Sequence, residues 1–205
     1  MDWMVDALLG AALGVALWLR PWRMLPPEGP PWPWLAWCAM LPLLWSADRL
    51  AHSALVQPLP GACLLVLMAG WPLTVLGMAA AALGAAALGL LGWDEAAQRA
   101  LWLGLLPATL TVGFGAAARR WLPGHLMVYI LVRGFFATLA ADSLAGALAL
   151  AVNGGPVGLG SDALLLGRWL TAWGDAIITG MLTAVFVAFR PGWLATYSDR
   201  LYLPR

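Results

Sequence analysis

The sequence predicts an all-α protein: a polytopic integral membrane bundle of about seven transmembrane helices, forming a single domain over residues 1–205. Of the 205 residues, 62% are apolar and only 10% are charged. A water-soluble domain cannot bury so large a share of apolar surface, so most of it must face lipid. Long runs without charge, separated by short polar segments, indicate several spans. The lipid bilayer is therefore the first expected partner.

The charged residues exclude several classes of function. All eleven basic residues are arginine, and ten carboxylates reduce the formal net charge to +1. No basic stripe offers a surface to nucleic acid. The chain also lacks the HExxH, GxSxG and Walker A motifs of zinc peptidases, serine hydrolases and ATPases. We therefore expect no nucleic-acid partner and no enzymatic activity.

Five apolar runs are clear spans, because a bilayer core about 30 Å thick takes about 20 helical residues. Asp2 and Asp6 precede the first run, and Arg20 and Arg23 follow it. A signal peptide has the opposite charge order, so this run predicts an uncleaved span with its N-terminus outside. The five runs are Trp3 to Leu19, Pro33 to Ala47, Leu101 to Ala118, Leu126 to Val152 and Leu164 to Phe189.

The apolar segment from Gly61 to Leu91 forms either one long tilted helix or two shorter ones. One helix gives six spans and scatters the arginines over both sides of the membrane. A turn at "AGWPL", with Pro72 ending one helix and the next starting near Leu73, gives seven spans. Only Arg49 and Arg99 then lie outside, and the positive-inside rule favours this arrangement with a cytoplasmic C-terminus. The arginines on the cytoplasmic side are Arg20, Arg23, Arg119, Arg120, Arg190, Arg200 and Arg205.

Ionisable residues inside the spans are candidates for function, because they are costly to bury in a membrane. Asp142 and Asp175 lie about ten and eleven residues from the outer ends of their spans, roughly 15 Å deep. On adjacent antiparallel helices the two carboxylates could face each other and hold a cation or a shared proton. They could equally be turned apart, each bonded to a hydroxyl or backbone group. Arg133, nearer the cytoplasm, could extend to the interface or neutralise a carboxylate.

The cysteines and histidines give no metal motif. Cys38 and Cys63 lie in apolar segments without zinc-type spacing, so we expect free thiols that fill space. His52 and His125 fall in loops on opposite sides of the membrane and cannot share a ligand.

Several segments resemble the CbiM/NikM-type family, the integral-membrane, substrate-capturing components of energy-coupling factor ABC transporters for cobalt and nickel. In particular, the chain looks like the short proteobacterial branch of these permeases. It implies a bundle of about seven helices in the bacterial inner membrane, with a transmembrane coupling protein and ABC ATPases as partners. The segments are "GACLLVLMAGWPL", "LPGHLMVYILVRGFFATLA", "GDAIITGMLTAVFVAFRPGW" and "LATYSDRLYL".

The resemblance also implies a divalent transition metal, cobalt or nickel, as the substrate. Family members begin Met-His, and the N-terminal amine, the next amide, that imidazole and a later histidine bind the ion. Here the second residue is Asp2, and the later segment has Pro58, Leu59 and Pro60 where relatives tend to have the histidine. Asp175 matches an acidic position that precedes the segment containing Gly180 and Met181. The candidate metal ligands are Met1, Asp2, Asp142 and Asp175.

Three functions remain in competition at this point. The first is a transporter subunit with an outward-facing pocket near Met1, Asp2 and Cys63 that reaches toward Asp142 or Asp175. The second is a non-transporting scaffold or assembly subunit that uses the same bundle within a larger membrane complex. The third is copper or heme handling through methionine and cysteine, whose soft sulfur suits Cu(I).

Overall fold

Helices make up all the regular structure in the described part of the chain. The computed structural model describes residues 2–23, 29–53, 56–155, 160–198 and 202. Met1 lies outside these ranges, and Asp2 contributes only its backbone. The helices are α1 (Asp2–Trp18), α2 (Trp32–Trp45), α3 (Ala47–Leu50), α4 (Ala62–Ala69), α5 (Trp71–Ala87), α6 (Trp93–Trp121), α7 (Leu126–Asn153) and α8 (Ser161–Phe189).

Four stretches are long and apolar enough to cross a membrane: Trp3–Arg23, which includes α1, and the helices α6, α7 and α8. Helix α5 is apolar but shorter. Helices α6 and α7 each contain a segment with wider, π-type hydrogen bonding, at Ala100–Leu105 and Tyr129–Phe136. The all-helical class is confirmed, and the four long apolar helices indicate a membrane protein.

The long apolar segment forms two helices, with a break at Gly70. This residue has φ 78° and ψ 167°, a conformation that glycine adopts without strain. Helix α4 ends at Ala69, and α5 starts at Trp71 with Pro72 in its first turn. The expectation that Pro72 ends the first helix is wrong, because Pro72 lies in the first turn of the second helix. Proline lacks an N–H and suits the first turn of a helix, where that donor has no intrahelical partner.

Helix α4 is enclosed by the rest of the bundle. Every side chain from Ala62 to Met68 is at most 3% exposed. Its eight residues span only about 12 Å, far less than a membrane core of about 30 Å. The N-terminal end of α4 is buried and its C-terminal end, at Ala69 and Gly70, is half-buried, and unpaired backbone groups are costly in such surroundings.

The N-terminal end of α4 is satisfied by side chains from distant parts of the chain. The Gly61 amide donates to Asp175 Oδ2 at 2.9 Å. The Gly61 carbonyl accepts from the Trp37 indole at 2.8 Å, and the Pro60 carbonyl accepts from the Trp45 indole at 3.0 Å. Gly61 has φ 68°, and a Cβ there would approach Leu41 to 2.9 Å. The position therefore requires glycine.

The C-terminal end of α4 is satisfied by the tail that follows α8. The Met68 carbonyl accepts from the Ala195 amide at 3.0 Å, and the Leu67 carbonyl accepts from the Thr196 amide at 3.3 Å. The Thr196 hydroxyl also donates to Leu67 O, at 3.0 Å. Residues 194–197 thus form a cap across the end of the buried helix.

Arg133 holds this tail in place. Its Nη1 donates to the Thr196 carbonyl and to the Tyr202 hydroxyl, each at 3.1 Å. Its guanidinium lies 5.2 Å from the centre of the Tyr129 ring, and Tyr129 packs against Tyr197 and Tyr202. Arg133 is only 7% exposed. Neither role expected from the sequence, reaching the interface or neutralising a carboxylate, describes these contacts.

We predict that two glycines on α5 respond oppositely to alanine, because only one lies tight against α2. A Cβ on Gly77 would lie 2.8 Å from Cys38 Sγ and 2.9 Å from the Trp34 ring, whereas a Cβ on Gly84 would meet Pro42 at 3.7 Å. Gly77→Ala should lower the free energy of unfolding by about 1–3 kcal/mol through overpacking. Gly84→Ala, about two turns further along, should be neutral or stabilising because alanine favours helix.

Thermal unfolding of both variants in detergent, followed by tryptophan fluorescence, checks this pair. Equal midpoints for the two variants would show that the close contact of α2 with Gly77 does not constrain the packing.

Candidate functional site

Cys63, Asp142 and Asp175 meet in the interior of the bundle. The Cys63 Sγ and one oxygen from each carboxylate lie within 4.8 Å of one another, and all three residues are buried. Cys63 lies in the first turn of α4, while Asp142 and Asp175 come from the middle of α7 and α8, which pack together. Of the two arrangements left open by the sequence, the structure has the one in which the carboxylates face each other. We call these three residues the trio.

Short hydrogen bonds fix the orientation of each member of the trio. The Thr111 hydroxyl, on α6, donates to Cys63 Sγ at 3.0 Å. The Cys63 thiol donates to Asp142 Oδ1 at 3.5 Å, and the Gly61 amide donates to Asp175 Oδ2. Four helices thus contribute to one polar centre.

Each carboxylate keeps one oxygen without a donor. Asp142 Oδ2 and Asp175 Oδ1 have no hydrogen-bond partner among the described residues, and the two residues are 4% and 0% exposed. No arginine in the described part of the chain forms an ion pair with either of them. Two carboxylates this close repel each other unless a proton or a cation lies between them. The geometry therefore suits either a proton shared by the two carboxyl groups or a bound cation.

A large cavity leads from one end of the bundle to this centre. Its volume is about 1040 Å³, and Asp142 is the member of the trio that lines it. Its α7 wall follows one face of the helix, and the small residues Gly146 and Ala149 leave room beside it. Asp175 and Cys63 lie behind Asp142. A solute that enters the cavity therefore reaches Asp142 first.

The mouth of the cavity carries paired charges. Arg99 bonds both carboxylate oxygens of Asp48 at 2.7 Å and Glu95 at 2.5 Å, and it also donates to the Trp45 carbonyl. Arg49 pairs with Glu95 at 3.0 Å. These contacts join α2, α3 and the start of α6. The mouth is therefore held by an ion-pair network and carries no bare excess of either charge.

Arg168 lies on the cavity wall between the mouth and Asp142. Its Nη1 donates to the Gly146 carbonyl of α7 at 2.8 Å, and it forms no ion pair with the described residues. Arg168 precedes Asp175 on the same face of α8 by about two turns, or roughly 10 Å. The cavity wall therefore carries Arg168, outside the ion-pair network of the mouth, and its inner end reaches Asp142.

The sequence-predicted ligands divide into two sets. Asp142 and Asp175 come together as described. Met1 and the Asp2 side chain lie outside the described residues, and α1 packs mainly against α5 and α6 rather than against α7 or α8.

Cys63 was expected near the pocket but as a space-filling thiol, and the sequence did not predict its contact with a carboxylate. Both cysteines are free thiols, as expected. Only Cys63 contacts a carboxylate, across a sequence separation of 79 residues. No spacing motif reports a contact over such a distance.

No family model, curated protein or solved structure matches the chain. The resemblance to CbiM/NikM-type proteins thus rests on the quoted segments alone, and the site is argued from its own geometry.

We predict that acid weakens the mouth network through Asp48. Partial burial raises the pKa of Asp48, but the hydrogen bonds and charge of Arg99 outweigh it and hold the pKa below its usual value. A group with a lowered pKa stabilises the fold above its unfolded-state pKa, about 3.9 for aspartate. That stabilisation is lost as the pH falls through the folded-state pKa.

The check compares the unfolding midpoints of wild type and Asp48→Asn at pH 7 and at pH 3. Wild type should be more stable at pH 7, by about 1 kcal/mol or less since the pair is partly exposed, and the gap should narrow at pH 3. Asp94→Asn is the control, because Asp94 is exposed and forms no ion pair within the described residues. A gap of the same size at both pH values would contradict the assignment.

Proposed function

We propose that this chain is the substrate-binding membrane subunit of an uptake system, which takes a cation from the outer face and binds it between Asp142 and Asp175. One observation carries the proposal: an open cavity that leads to two buried carboxylates, each with an oxygen that lacks a donor. Ionisable groups are costly inside a membrane bundle, and substrate pathways, ion pathways and proton relays are known places for them.

The direction of uptake follows from a topology with seven spans, an outer N-terminus and a cytoplasmic C-terminus. The arginine distribution supports this topology through the positive-inside rule. The break at Gly70 supports it too, because two helices replace one long span and shift the downstream loops to the opposite side. In this topology α3 and the mouth of the cavity face outward, and the tail faces the cytoplasm.

The substrate class and partners follow from the resemblance. CbiM/NikM-type proteins take up cobalt or nickel together with a coupling protein and ABC ATPases in the bacterial inner membrane. A separate ATPase also suits this chain, which has no Walker A motif of its own.

The alternative is a non-transporting scaffold in a larger membrane complex. Departure from the family histidines favours it, as do exposed aromatic side chains on α1 such as Trp3 and Trp18, 77% and 79% exposed. In a scaffold the trio would hold a proton only. Lipid contact also accounts for such exposure, and the cavity supports the binding subunit over the scaffold.

The topology is tested with reporters fused at three points. Green fluorescent protein after Arg205 should fluoresce, since it folds in the cytoplasm. Alkaline phosphatase after Gly92 or after Gly155 should be active, since it needs the oxidising outer side. An active phosphatase fused after Arg205 would reverse the orientation and place the mouth of the cavity inside.

Transport is tested in the native host by accumulation of labelled cobalt and nickel after deletion of the gene and complementation. Asp142→Asn should lower accumulation at least about tenfold, the usual scale for damage to a metal site. Asp162→Asn is the matched control, an exposed aspartate at the start of α8. If wild type restores no uptake while other membrane subunits co-purify with it stoichiometrically and free of metal, the scaffold is correct.

A further inference from the structure

We propose that Cys63 is a third ligand, so that the substrate site binds a divalent transition metal ion through one thiolate and two carboxylates. This inference rests on the proposed function and names the donor set of that same site. It replaces the N-terminal ligands, Met1 and Asp2, with a residue on α4.

The distances suit a metal ion after a small contraction. Ligand bonds of about 2.0–2.3 Å in a tetrahedral site place neighbouring donors about 3.3–3.8 Å apart. Cys63 Sγ and Asp142 Oδ1 are already 3.5 Å apart, and all three donors lie within 4.8 Å of one another. Closing the widest separation from 4.8 Å to that range takes about 1–1.5 Å, shared between two side chains, and completes three sides of a coordination shell.

Each carboxylate has one oxygen without a hydrogen bond among the described residues, and Asp142 Oδ1 is released when Cys63 loses its proton and binds the metal as a thiolate. Thr111 donates to the sulfur, and the Gly61 amide binds Asp175 Oδ2. The oxygens without donors, Asp142 Oδ2 and Asp175 Oδ1, belong to side chains that are more than nine-tenths buried. Such outer contacts orient ligands in known metal sites. A purely space-filling thiol would have only apolar neighbours.

The donor set selects a class of metal. A thiolate favours zinc, cobalt, nickel or iron(II) over magnesium and calcium, which prefer oxygen ligands alone. Three anionic ligands leave one excess negative charge around a divalent ion. The positive end of the α4 dipole, whose Gly61 amide bonds Asp175 Oδ2, offsets part of that charge. Asp142 lies between the trio and the cavity, so a metal ion that enters from the cavity meets this ligand first.

Cobalt(II) absorption tests the third ligand directly. The full-length chain in detergent is titrated with Co²⁺, and a thiolate ligand gives a sulfur-to-cobalt charge-transfer band in the near ultraviolet. Wild type and Cys38→Ser should show this band. Cys63→Ser should lose it and bind Co²⁺ at least about tenfold more weakly, while Asp142→Asn should lose most binding.

X-ray absorption of the wild-type cobalt complex gives a second readout that depends on no variant. A sulfur neighbour at about 2.3 Å supports the proposal even if Cys63→Ser fails to fold. A shell of oxygen and nitrogen only, or an unchanged band in Cys63→Ser, overturns it.

These outcomes separate the inference from the function beneath it. If cells take up cobalt but the purified protein shows no sulfur ligand, Cys63 is excluded as a metal ligand and the proposed transport function stands. If there is neither cobalt uptake nor Co²⁺ binding, both the transport function and the metal site are excluded, and the trio is then a proton-sharing centre.

Discussion

The structure depends on satisfying both ends of one short helix inside a bundle. Helix α4 is too short to reach water at either end, and its terminal amides and carbonyls would be costly to leave unpaired in a medium of low dielectric. Its partners come from far along the chain: Trp37, Trp45 and Asp175 at one end, and the tail at the other. Correct closure of α4 therefore requires that α2, α8 and the tail all take their places.

The same constraint places the polar centre. A helix that stops within the bundle presents its N-terminal amides, with their partial positive charge, to whatever lies there. Transporters with discontinuous helices use half-helix ends in this way near the middle of the membrane. Here the end of α4 meets Asp175 and carries Cys63 in its first turn. One backbone break thus creates both a polar partner for a carboxylate and the position of the thiol.

The sequence predicted those features that depend on distance along the chain. Apolar runs gave the helices, Gly70 and Pro72 gave the break, and counting residues gave the equal depth of Asp142 and Asp175. Rotation about a helix axis is a different quantity, set by the packing of whole faces, so counting could not show that the carboxylates meet. The polar contacts of Cys63 and Arg133 could not be predicted for the same reason. Their partners are remote in sequence, and an apolar neighbourhood hid the polar contacts.

Helix α4 also acts as a rigid rod about 12 Å long between two different surroundings, a carboxylate pair at one end and a backbone cap from the tail at the other. A protein that binds the tail acts on the C-terminal end of α4, and an occupant of the trio acts on its N-terminal end. Where both act through α4, thermodynamic linkage makes their effects on each other's binding constants equal. A partner of the tail and an occupant of the trio would then be coupled along the length of α4, without any large motion of the surrounding helices.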